Sequence, residues 1–63
     1  MINEEKFEIA LIQARITKNE LASRLSISRE ALRRRVKTGN FTIHDVVIMR
    51  EIFGKETADG FLF

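Results

Sequence analysis

The chain repeats one arrangement three times: an apolar residue, then Ser or Thr, then a second apolar residue four positions after the hydroxyl. Ile16, Thr17 and Leu21 form the first instance, Ile27, Ser28 and Leu32 the second, and Phe41, Thr42 and Val46 the third. At a helix start the hydroxyl accepts from a backbone N–H in the first turn. The two apolar groups close over it as a staple and fix the angle at which the chain enters the helix. Glu20 and Asp45, each three residues after a Thr, complete capping boxes. Three successive starts of this kind fix the angle at which each helix leaves the previous one, and a composition without Pro, with few Gly and many Leu, Ile, Arg, Glu and Ala, favours an all-helical chain.

An earlier helix is predicted from Phe7, Ala10, Leu11 and Ala14, spaced i, i+3, i+4, i+7. Asn3 is its cap, and Glu4 and Glu5 suit the positive end of its dipole. The second helix carries Leu21, Ala22 and Leu25 inward and ends near Leu25; the third points Leu32 and Val36 inward and stops at Gly39. The fourth runs to about Phe53, followed by Gly54. Its Ile43, Val46, Val47, Met49, Ile52 and Phe53 exceed one face, which marks it as the central packing element. In the final stretch Thr57 is a candidate cap for a short fifth turn, and Gly60 argues against a long helix there. Phe61, Leu62 and Phe63 require burial, either on the chain's own core or at an interface. The expectation is an all-α domain of four to five short helices spanning residues 1–63.

At 63 residues without Cys, the fold rests on one apolar core and has no disulfide or thiolate metal site. The lone His44 excludes a multi-His metal centre and reads as a surface residue. Asp45 is explained by capping, and neither Ser26 nor Ser28 has the partners of a nucleophile. With no Gly-rich phosphate loop either, the expectation is a non-enzyme with no catalytic residues, cofactor, metal or small-molecule ligand. The longest apolar run, Val46 to Met49, is far too short to span a membrane. The acidic start after Met1 lacks the marks of a signal peptide, so a cytoplasmic protein of a bacterial host cell is expected.

The net charge of +2 conceals a strong asymmetry. Residues 1–14 sum to −2, residues 15–39 to +6 and residues 40–63 to −2. Arg29, Arg33, Arg34, Arg35 and Lys37 all lie on the third helix. With Leu32 and Val36 inward, Glu30, Arg34 and Lys37 point away from the core, Arg33 lies on the flank, and Arg29 projects past the first turn. A run of charge is ordinarily a solvated helix face. Here it is of one sign while both ends of the chain carry the other, as in a module that turns one side to a polyanion.

The link "SIS", Ser26 to Ser28, sets the second and third helices at a steep angle. In this respect "TKNELASRLSISREALRRRVKTG" resembles the helix-turn-helix of the phage Cro and repressor family. The following "FTIHDVVIMREIFG" and the aromatic "FLF" resemble a branch of small regulators of Gram-positive phages and prophages. Two positions depart from the pattern: Ser26 stands where Gly is usual, and Arg35 where relatives carry an apolar residue, a role Val36 takes over. The resemblance implies a lambda-repressor-like fold and a transcriptional regulator that binds operator DNA. The recognition helix, about residues 28–38, would lie in the major groove. Ser28, Arg29, Glu30, Arg33, Arg34 and Lys37 match groove-facing positions; Thr17, Lys18 and Asn19, with Thr38, Gly39 and Asn40, match backbone contacts. Arg33 or Arg29 is suited to guanine O6 and N7, and Lys18, Lys37 and Asn40 to phosphates. Glu30 either accepts from cytosine N4 or pairs with Arg34 at i+4, and the second is favoured. A homodimer on a palindromic site is the expected working form, with Phe61, Leu62, Phe63 and the outer face of the fourth helix as interface candidates. The rival reading is a protein-interaction module, antirepressor- or antitoxin-like, built on the same fold.

Overall fold

The computed structural model describes residues 2–63, and these form five helices and no strand: α1 (Glu4–Ala14), α2 (Lys18–Arg24), α3 (Arg29–Thr38), α4 (Ile43–Phe53) and α5 (Lys55–Leu62). Every expected cap of the first four helices is in place. Asn3 accepts from Lys6 N–H, Thr17 from Glu20 N–H, Ser28 from Ala31 N–H and Thr42 from Asp45 N–H, each at 3.1 Å. Both capping boxes are closed by their acidic partners.

The first two helix ends explain how the starts are joined. Ile16 N–H donates to Leu11 O at 3.1 Å while Arg15 sits in the left-handed region at φ 55°. Ile27 N–H donates to Ala22 O at 3.0 Å across Ser26, left-handed at φ 59°. These are Schellman-type endings. Each isoleucine thus closes one helix and stands directly before the cap of the next, Thr17 or Ser28, so little freedom remains between α1, α2 and α3.

The core gathers Phe7, Ala10, Leu11, Ile16, Leu21, Ala22, Leu25, Leu32, Val36, Met49, Ala58 and Phe61. α4 and α5 pack on each other and on α1, and α2 packs on α3. Phe61 is the hub of the first group: its ring meets Phe7 at 5.2 Å and Phe53 at 5.4 Å, both edge to face. Its carbonyl accepts from Asn3 N–H at 2.9 Å, pinning the start of α1 to the end of α5.

Four expectations are corrected. The last segment is a helix of eight residues that starts at Gly54 without a side-chain cap; Thr57 lies inside it, exposed, and Gly60 is an interior residue. The helix persists because Ala58 and Phe61 bury its inner face, which outweighs glycine's poor propensity. Phe61 is 1% exposed in its own core and is withdrawn as an interface residue; Leu62 is half-buried and Phe63 is 86% exposed. Ala14 is exposed, because α1 ends there. α4 is less buried than its aliphatic content suggests: Met49 is enclosed, whereas Ile43 and Val47 face outward.

Candidate nucleic-acid interface

α3 is held from below and open from above. Leu32 and Val36 are buried, and Arg29, Glu30, Arg33, Arg34 and Lys37 are exposed. Because α3 starts at the Ser28 cap and ends at Gly39, in the left-handed region at φ 78°, both its phase and its length are fixed. Three of the four exposed cations form a row, and the fourth stands apart. Arg29, Arg33 and Lys37, spaced i, i+4, i+8, line a groove of about 600 Å³ between α1 and α3. Arg34 lines a shallower hollow on the other flank, together with Thr38 and Asn40. Among the described residues none of these four forms a salt bridge.

Arg35 behaves differently. Its Nη1 donates to Oδ2 of Asp45, whose side chain is almost wholly enclosed. The same oxygen accepts from Thr42 N–H at 3.1 Å. Arg35 is therefore a tie between α3 and the first turn of α4. Asp45 combines its capping role with that of counter-ion.

No family model, curated protein or solved structure matches this chain. The remaining candidate positions are placed as follows. Thr17, Lys18 and Asn19 are exposed at the start of α2. Thr17 has its hydroxyl committed to the capping box, donating to Glu20 Oε1 at 3.1 Å. Lys18 is not free: its Nζ is ion-paired with Glu8 of α1. It lines the same groove as the cation row, so α2 and α3 bring their charges together there. Ser28 Oγ is used in capping, yet the residue is exposed beside Arg29. At the far end of α3, Thr38 Oγ1 donates to Arg34 O at 3.0 Å and accepts from Asn40 N–H at 3.3 Å, which shapes the Gly39–Asn40 turn.

Glu30 does not pair with Arg34. An exposed i, i+4 pair is worth only a few tenths of a kcal/mol, too little to hold two long side chains together against solvation. Three partnerships escaped the sequence reading, Glu8 with Lys18, Arg35 with Asp45 and Arg50 with Asp59. Each joins residues nine or ten positions apart on different helices. Only the second left a trace in the sequence, as a charged residue where the resemblance implies an apolar one. Among the described residues no group of His, Cys, Asp or Glu side chains is arranged to hold a metal ion. Among them, too, no helix is long and apolar enough to cross a membrane.

Proposed function

We propose that this chain is a sequence-specific DNA-binding transcriptional regulator of the phage Cro and repressor type, with no catalytic step of its own. The observation that carries the reading is the exposed row of Arg29, Arg33 and Lys37, none of them ion-paired although Glu4, Glu8 and Glu30 line the same groove, with Arg34 beside it, on a short helix anchored by Leu32 and Val36. A helix of ten residues is about 15 Å long, enough to lie in a major groove. Arg33 or Arg29 then pairs with a guanine edge. Lys37, Asn40 and the start of α2 hold phosphates and set the register.

The base contacts of one such helix are few, so the working form is a two-fold dimer on a palindromic operator in the host cytoplasm. It regulates by occupying the operator and blocking or redirecting polymerase. Phe63, Leu62 and the outward face of α4, with Ile43 and Val47, supply the apolar surface for pairing.

Selection of bound sequences from a random duplex pool tests the reading. A palindromic consensus supports the regulator and its dimer together. Equal affinity for selected and scrambled duplexes overturns it in favour of a protein-interaction module. Arg33→Ala should abolish discrimination between the two duplexes while leaving thermal stability within about 0.5 kcal/mol, as for other exposed positions.

A further inference from the structure

One acid stands among the cations of α3. Glu30 follows Arg29, has Arg33 and Arg34 three and four residues on, and lines the groove with Arg29 and Arg33. It is exposed, and among the described residues it forms no salt bridge with any of them. It takes no part in the cap either: Ser28 Oγ holds Ala31 N–H, and Ala31 occupies the place where a capping box needs its acid. Within the chain it serves only the helix dipole. Against a duplex, a carboxylate on this face is repelled by the phosphates. That cost is offset only where the carboxylate meets a donor, and the donors of the major groove are the amino groups of cytosine and adenine.

We propose that Glu30 is a specificity-determining residue that accepts from the N4 amino group of a cytosine. The inference rests on α3 reading a duplex. Cytosine offers N4 with no acceptor of its own beside it, whereas adenine sets the N7 lone pair next to its N6 donor. Guanine and thymine present acceptors and no donor there, and so oppose a carboxylate. Phosphates repel Glu30 in every complex, but the bond to cytosine is made only when the protein is seated in register. Glu30 therefore disfavours wrong duplexes more than the right one. Arginines alone on this face would favour guanine wherever they reach; an acceptor among them adds a position that guanine cannot fill.

The test is selection from a random duplex pool with the whole chain, as wild type, Glu30→Gln and Glu30→Ala. Wild type should enrich a consensus in which one C·G pair depends on Glu30. Glu30→Gln should turn that cytosine to adenine, which glutamine bonds at N6 and N7, and Glu30→Ala should leave the position without preference. The other positions should persist in both. Replacing that cytosine by pyrimidin-2-one, which lacks the amino group, should weaken wild type about fivefold or more and Glu30→Ala by less than about twofold. Glu56→Gln makes the same charge change in the first turn of α5 and should leave the consensus unaltered.

A consensus unchanged by both Glu30 variants, or equal losses on the pyrimidin-2-one duplex with and without Glu30, overturns the role of Glu30 and leaves the reading of α3 intact. The same change of base from Glu56→Gln also overturns it. A wild-type chain that enriches no consensus removes the reading of α3, and this inference with it.

Discussion

Arg35 and Asp45 join the third helix to the fourth through one carboxylate oxygen, Oδ2, which also accepts from the backbone N–H of Thr42. The side chain of Asp45 is 2% exposed and that of Arg35 is 29% exposed. Arg35→Leu should therefore strand a buried carboxylate, at a cost of about 3 kcal/mol. Adding Asp45→Asn removes the stranded charge, so the double variant should recover part of that loss. Denaturant midpoints of the four members of the cycle measure this. An Arg35→Leu protein as stable as wild type would show that the tie contributes nothing.

The tail makes a second contrast. Phe61 touches both Phe7 and Phe53, while Phe63, two residues on, is mostly in solvent. Phe61→Ala should cost about 3–5 kcal/mol, a large share of the stability of so small a domain. Phe63→Ala should change the stability of the monomer by less than about 0.5 kcal/mol. If Phe63 also serves dimer pairing, its substitution shifts the association equilibrium seen by sedimentation and not the melting of the dilute chain. Comparable thermal losses from both changes would contradict the observed burial.

The caps give a graded expectation. Thr17 and Thr42 each take part in a reciprocal box, while Ser28 caps α3 without one. Substituting any of them by Ala should cost about 1 kcal/mol. For a chain of this length that is a fall of about 4–8 °C in melting temperature. Thr42→Ala should cost no more than Thr17→Ala: the Asp45 carboxylate that holds Arg35 accepts from the backbone N–H of Thr42, which alanine keeps, whereas Thr17 also loses the bond its hydroxyl donates to Glu20. Melting curves of the three variants decide the order, and a loss for Thr42→Ala well beyond that for Thr17→Ala would refute it.

What could be read from the sequence divides along the range of the interaction. Caps and the inward pair Leu32 and Val36 depend on neighbours within one turn, and they are found where the spacing put them. The outward face of α3 followed from the same pair and is exposed as expected. Contacts between helices were not legible. Nothing local distinguishes Phe61 from Phe63, and the difference lies in which of them α5 turns toward Phe7 and Phe53. The sequence suits Lys18 to phosphates, and nothing local to it marks its pairing with Glu8, which lies on another helix. The expected Glu30–Arg34 pair erred the other way, since correct spacing on an exposed face supplies too little energy to hold it.

Arg15 and Ser26 are both non-glycine residues in the left-handed region, and Ser26 and Gly60 call for opposite exchanges. Ser26 is left-handed at φ 59° in the turn between α2 and α3, where a side chain costs about 1–2 kcal/mol. Glycine there gives back about 0.5–1 kcal/mol through its greater freedom in the unfolded chain. Ser26→Gly should thus stabilise by about 0.5–1 kcal/mol. Gly60 is the reverse case: it lies inside α5, and a Cβ added there meets nothing within 4 Å. Gly60→Ala should stabilise by about 0.5–1 kcal/mol through helix propensity. The two sites lie on different elements, α5 and the α2–α3 turn, so the double variant should show the sum of the separate gains in its denaturation midpoint. Loss of stability on Ser26→Gly would mean that the serine makes up its backbone strain elsewhere, and the Schellman-type ending of α2 would then need another explanation.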